Sequence, residues 1–331
     1  MCSSDLAHNG AYAINLDIFN KIQRTITGWP GGKPEVDDFH RPERSNPMPK
    51  RSLIFSPHPD DDVISMGGTF KRLVDQGHEV HVAYQTSGNI AVFDDYVVQL
   101  IDLFDEINHS KGILDNDLSQ LVKLALDKSD LDQMDDELLR NLKGLIRKVE
   151  AKAACRFVGV PVDRIHFMKL PFYETGTIKK NPLGPEDVAL TVALLNEIKP
   201  HQIFAAGDLS DPHGTHRVCL EAITQALAQC SKQEWFKSCY VWLYRGAWQE
   251  WPIEAIDMAV PLSPAEVFSK RKAIFKHQSQ KDAPVFPGPD NREFWQRAEE
   301  RNAHTAELYD RLGLPEYQAI EAFQRLLIAT E

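Results

Sequence analysis

The sequence predicts an α/β fold in which a parallel sheet carries helices on both faces. Two observations predict it. Short apolar runs alternate with amphipathic segments of helical period, the pattern of repeated strand–helix–strand units. The residues richest in chemistry directly follow two of those runs, where a parallel sheet exposes the carboxyl ends of its strands and binds ligands.

At the start of the chain, Ile14, Ile18, Phe19 and Ile22 predict one short helix. The Gly-Pro-rich Gly28–Pro34 and the charged Asp37–Arg44 then read as a linker. Met1–Leu6 back-translates, from a GTG start, onto the end of a common sequencing adapter. Residues 1–49 are therefore expected to be the remnant of a truncated upstream domain, with the main domain spanning 50–331.

The first predicted strand, Ser52–Ser56, runs into Pro57-His58-Pro59-Asp60-Asp61-Asp62. Met66, Phe70, Leu73 and Val74 follow at helical spacing, and Gly77 is the expected stop. Three adjacent carboxylates repel one another, so a positive charge is expected to compensate them, and the nearby imidazole suggests a metal. An acidic helix N-terminus, where Asp caps and complements the dipole, is the alternative. Val80–Gln85 is the second strand. Asp95–Cys155 is too long for one crossover and reads as an acidic helical insertion at about 95–155, ending in the helix that carries Arg147 and Glu150.

Ile165–Leu170, Gln202–Ala206 and Tyr240–Tyr244 complete the predicted strands, a Rossmann-like βαβ alternation. A second cluster, Asp208-Leu-Ser-Asp211-Pro-His213-Gly-Thr215-His216, follows the fourth run. Asp211 before Pro212 reads as an N-cap with proline at the first helical position. Val218, Ala222, Ile223 and Ala226 form the buried stripe of that helix, and His213 and His216, three apart, reach one sheet edge. Two such clusters, each at a strand-to-helix junction, favour a site over two separate caps. Past Val260 the pattern is helical over Pro264–Gln280, Asn291–Arg311 and Glu316–Ile328, with Pro284–Pro289 a loop able to rim the pocket.

Composition narrows the function. The 331 residues carry 37 Lys plus Arg against 48 Asp plus Glu, a net charge of −11, which argues against a nucleic-acid or anionic-membrane surface. The acid is concentrated in Asp94–Asp105 and Asp115–Glu137, expected to be a solvated helical face. Five cysteines without paired short spacing suggest free thiols in a reducing compartment, so the protein is read as cytoplasmic. No apolar run reaches membrane-spanning length. His78, His81, His166 and His201 lie in or beside strands and read as packed or surface residues. Gly67-Gly68 lacks the spacing of a dinucleotide fingerprint and reads as a close helix–sheet contact.

Pro-His-Pro-Asp-Asp-Asp followed much later by His-x-x-His resembles the LmbE-like (PIG-L) N-deacetylases, zinc hydrolases that remove acetyl groups from N-acetylglucosaminyl compounds. The resemblance covers roughly residues 50 to 281. It includes Thr86-Ser87-Gly88, Arg147-x-x-Glu150 with Gly159-Val160, and Lys272-Ala273 followed by His277-Gln278-Ser279-Gln280. Gly28–Pro34 makes the chain similar to the carboxyl-terminal part of bacterial proteins called glucosamine-6-phosphate deaminases, which join a sugar-phosphate deaminase-like domain to a deacetylase-like one. Two residues depart from the family pattern. Asp62 stands where many members carry Glu, and Thr215 stands where many carry Asp, a carboxylate for which Asp211, two residues before His213, is only a candidate substitute.

The resemblance implies a zinc ion, or another divalent metal, held by His58, Asp61 and His216, with Asp60 as general base. It implies that a protonated His213, with Asp211 beside it, steadies the oxyanion, and that Arg147 binds a substrate phosphate or sugar hydroxyls; Asn89, beside Gly88, is a candidate sugar contact whose alternative is to tolerate the backbone geometry of the loop. Arg147 has a structural alternative in an ion pair with Glu150 on one helix face. The expected reaction is hydrolysis of the N-acetyl amide of a GlcNAc-type sugar. A non-catalytic carbohydrate-binding module, or a fragment of a glucosamine-6-phosphate deaminase/isomerase fusion, is the alternative. The expected partner is a small amino-sugar substrate. Neither nucleic acid nor membrane is expected, and a homo-oligomer and a missing upstream domain are both compatible with this reading.

Overall fold

In a computed structural model the structure describes residues 10–35, 41–111, 120–126, 137–175, 179–246, 248–281 and 290–328. Seven strands form one sheet: β1 (Arg51–Ser56), β2 (Glu79–Tyr84), β3 (Ile165–Phe167), β4 (Gln202–Ala206), β5 (Tyr240–Tyr244), β6 (Met258–Leu262) and β7 (Ala319–Leu326). Their spatial order is β3-β2-β1-β4-β5-β7-β6. β1 pairs in parallel with both β2 and β4, Ile54 lying opposite Val82 on one side and Phe204 on the other. The chain leaves β1 in one direction and later returns to lay β4 on its other side. The crevice beyond the carboxyl ends of β1 and β4 is thus a topological switch point.

Side chains alternate across β1, so Ile54 enters one core and Leu53 and Phe55 the other. The Ile54 side is covered by α2 (Asp61–Asp75), the end of α4 (Glu137–Val158) and α7 (Pro264–Ile274). The opposite side is covered by α5 (Pro185–Ile198) and α6 (Thr215–Cys230). Met66, Phe70 and Leu73 are fully buried on α2, as their spacing predicts, and the chain turns away at Gly77, where φ is +81°. α3 (Asp94–Lys111), the helical segment 120–126 and the start of α4 share a separate small core around Val97, Ile101 and Leu139. Of the cysteines, Cys155, Cys219 and Cys230 are buried and free, and Cys239 is half-buried and free.

Three expectations are corrected. The sheet is mixed, because β7 runs antiparallel to both β5 and β6. β7 itself lies inside Glu316–Ile328, expected as a helix, and β6 was not predicted at all. Ile320 and Phe323 fit a helical spacing, but the run is short and its period ambiguous; pairing to β5 and β6 decides it. Gly28–Pro34, read as part of a linker, is packed onto the body. Behind α1 (Ala11–Thr25), Thr27 N–H donates to Ala259 O at 2.8 Å, and Gly31 sits against the His78 ring where no Cβ would fit. Met1–Leu6 and Pro284–Pro289 lie outside the described residues, as does most of Asp115–Glu137. Among the described residues no helix is long and apolar enough to cross a membrane.

Candidate active site and metal centre

β1 ends at Ser56, and the turn that follows brings His58, Asp60 and Asp61 over the crevice. Asp61 Oδ2 is the centre of the arrangement. It accepts from the His58 backbone N–H at 2.9 Å and lies 3.2 Å from His58 Nδ1 and 3.3 Å from His216 Nε2. The ligand atoms of His58, Asp61 and His216 all fall within 4.8 Å of one another. From the β4 side, His216 reaches in at the second residue of α6, and its Nδ1–H donates to the Asp208 carbonyl at 2.8 Å. That bond fixes the ring orientation and turns Nε2 toward Asp61, the way metal-ligating histidines are oriented.

Burial works against charge on both partners, and their mutual attraction outweighs it. The Asp61 carboxyl is held far below the usual range by His216 and His58, while the His216 imidazolium is raised to about 10 by Asp61. Two imidazoles gathered around one buried carboxylate form a donor set that suits a borderline dication such as zinc. The residues fit the metal.

Asp60 points elsewhere. Burial raises its pKa, opposed chiefly by Arg147, whose Nη2 lies 3.0 Å from Asp60 Oδ1. Arg147 therefore reaches across to the Asp60 carboxylate, and Glu150 faces a different partner: both its oxygens accept from Ser279, N–H and hydroxyl, each at 2.7 Å. The alternative of a helix-face pair between Arg147 and Glu150 is replaced by these two cross-links. Asp62 is fully buried and structural. It takes the Tyr84 hydroxyl at 2.9 Å, and burial raises it to about 7.

Around this centre is a cavity of about 70 Å³. Asp211 and His213 line it, Asn89 does not. Asn89 is buried in the turn behind the wall, and its neighbours Ile90 and Ala91 face the cavity instead. α6 starts at Thr215 after a left-handed Gly214 (φ +66°), so Asp211 is not its N-cap. Both Asp211 carboxylate oxygens are buried without a hydrogen-bond partner, so Asp211 does not orient His213 by a direct bond. Burial and the charge of His58 lower His213 to about 4, making it neutral imidazole at neutral pH and not the expected imidazolium.

The sequence gives no motif signal for several further members of the wall. Tyr173 stands edge-on to His58 at 5.9 Å between centroids, with Lys180 Nζ 4.1 Å over its ring. Trp248 packs edge-to-face on Phe294 at 5.5 Å, and both line the cavity. The Gln249 backbone N–H donates to the Asp208 carboxylate at 2.9 Å, as does that of Trp248. Asp208 thus ties the Trp248 wall to the orientation of His216. The four strand histidines stay out of the site: His81 and His166 stack on each other, and His78 and His201 accept backbone N–H bonds.

Residues 53–227 match the PIG-L family, described as GlcNAc-PI de-N-acetylase. A Bacteroides thetaiotaomicron protein called putative glucosamine-6-phosphate deaminase-like protein is 56% identical over 321 residues, covering 95% of this chain. The chain spans about half the length of that relative (48%). Among solved structures, N,N'-diacetylchitobiose deacetylase from Pyrococcus horikoshii superposes with a TM-score of 0.54 at 21% identity, over 94% of this chain and 92% of its own. GalB, the 4-carboxy-2-hydroxymuconate hydratase of Pseudomonas putida, superposes at 0.52 with 15% identity, over 85% of this chain and 98% of its own. A deacetylase and a hydratase on one fold show that fold alone does not fix the reaction. The sequence match over more than half the chain does fix the lineage: this protein belongs to the PIG-L, or GlcNAc-PI de-N-acetylase, family.

Proposed function

We propose that the protein is a zinc-dependent N-deacetylase that hydrolyses the acetamide of a GlcNAc-type sugar. One observation carries the reading: a His58–Asp61–His216 donor set and an Arg147-held Asp60 line the same cavity, so metal and base are separate groups within one pocket. A dication in that donor set supplies Lewis acidity, which acidifies water and polarises an amide carbonyl. Asp60, with one oxygen occupied by Arg147, is the proton acceptor; its pKa, raised by burial, brings it nearer to neutral pH, where a general base works best. His213 enters as neutral imidazole and donates a hydrogen bond to the developing oxyanion. The proton held on Asp60 then goes to the leaving amine. Tyr173 and Trp248 give the wall aromatic faces suited to a sugar ring.

The test is metal content together with acetate release from N-acetylglucosamine, its 6-phosphate and N,N'-diacetylchitobiose, before and after chelation. Acetate release abolished by chelation and restored by zinc is expected. Full activity in metal-free protein would overturn the proposal. Ammonia release from glucosamine 6-phosphate is not expected from this chain, because its cavity holds an amide-hydrolysis constellation; ammonia production would favour the deaminase reading instead.

A further inference from the structure

His277 is 1% exposed, and neither of its ring nitrogens has a hydrogen-bond partner. A buried polar group left unpaired is costly, so such a group in a folded protein calls for a water or a ligand. The segment that carries it is held on two sides. Ser279 is bonded to Glu150, and Gln280 Nε2 donates to the Ala91 carbonyl at 2.8 Å. Those bonds set His277 on the wall of a small cavity of about 10 Å³, shared with Asp60 and Gln280. Asp60 and Gln280 also line the larger cavity of the metal centre, so the small one is its annex. It has room for about one water molecule, and although Ile64, Ile274, Phe275, Phe294 and Trp295 make much of its wall apolar, Asp60, His277 and Gln280 supply the polar partners such a water needs.

We infer that an ordered water in this annex bridges His277 and Asp60, making His277 a positioning residue for the carboxylate. Burial and the nearby Arg147 charge keep the ring neutral, so it offers one N–H donor and one acceptor. Arg147 holds Asp60 from one side. The bridged water holds it from the other and restricts its rotation about the Cβ–Cγ bond. The part concerning catalysis rests on Asp60 acting as the base of the proposed deacetylase; the water itself does not.

Two measurements separate those parts. A crystal structure of the zinc-loaded protein at about 1.5 Å is expected to show a water within hydrogen-bond distance, about 2.7–3.2 Å, of a His277 nitrogen and an Asp60 oxygen. An empty or apolar-filled annex overturns the inference, whatever the substrate. In the acetate-release assay, His277→Leu is expected to lower kcat roughly 10–100-fold with KM and zinc content unchanged, and His277→Gln to recover most of the loss. Unchanged kcat in His277→Leu, or equal loss in both variants with normal zinc content, overturns the positioning role. If wild-type protein releases no acetate, the deacetylase reading fails while the crystallographic outcome still decides on the water. If His277→Leu does not fold, His277→Gln and the wild-type structure remain decisive.

Discussion

Lys270 Nζ and Glu321 Oε1 meet 2.7 Å apart in the interior, with side chains 1% and 0% exposed. Glu321 also accepts from the backbone N–H groups of Gly68, at 3.0 Å, and Thr69, at 2.6 Å. Those groups become available because α2 departs from helical geometry at Met66 (φ −134°, ψ 25°). The carboxylate therefore caps the second half of a broken helix whose first residue, Asp61, is a candidate metal ligand.

Removing one member of that buried pair strands the other. Glu321→Ala is expected to cost about 3–5 kcal/mol, read as a lower denaturant midpoint. Replacing both partners, as in Lys270→Met with Glu321→Leu, removes the stranded charge but leaves the Gly68 and Thr69 N–H groups unpaired. The double variant should be more stable than Glu321→Ala alone; equal loss in both would contradict this account.

Neighbouring carboxylates should fail in different ways. Asp60→Asn is expected to keep zinc and lose about 10²–10⁴ in kcat, since an amide cannot take up the proton. Asp61→Asn and His216→Ala should lose zinc itself, because each removes one of three ligands. Elemental analysis beside acetate release distinguishes them, and zinc retained at full occupancy in His216→Ala would show the ligand set to be wrong.

Asp208 should matter to metal affinity without touching the metal. Its carboxylate holds the loop at Trp248 and Gln249 while its carbonyl orients His216. Asp208→Ala is expected to weaken zinc binding about 10–100-fold, measured by competition with a chelator of known affinity. Affinity equal to wild type would mean that the carbonyl holds its place without the side chain.

Stability should rise with pH between about 4 and 6.5. His78 is buried, and burial followed by the charge of Lys50 lowers its pKa to about 4, while Nδ1 accepts from the Lys50 N–H at 3.0 Å. Below its ordinary value of about 6.5 the unfolded chain takes up a proton that the folded chain refuses, so stability is lost as pH falls toward 4. His78→Asn, which stays neutral, should flatten that slope by on the order of 1–3 kcal/mol across the window, seen by denaturation at pH 4.5 and 7. His201, also lowered to about 4 by burial and by Arg51, should contribute in the same direction.

The grouping of His58, Asp61 and His216 was legible because these residues lie directly after two apolar runs, and backbone geometry carries them to the switch point. What was not legible depends on distant pairing. Arg147 and Glu150 share a helix face, yet one meets Asp60 and the other Ser279. No local pattern discloses such partners. The same holds for β7, whose eight residues become a strand only because β5 and β6 flank them. The lowered pKa of His213 is hidden in the sequence for a related reason: burial and the neighbouring His58 imidazole, both properties of the assembled pocket, set it.

α4 lies in two environments at once. Leu139, near its start, belongs to the small core shared with α3, whereas Ala151, Ala154, Cys155 and Val158, near its end, belong to the core against the sheet. Arg147 and Glu150 fall on the sheet-bound side of that division. The outer end of α4, with α3 and the segment 120–126, thus has a core of its own, so substitutions at Val97, Ile101 or Leu139 strain that core first and reach the side chains of the candidate site only through the length of α4.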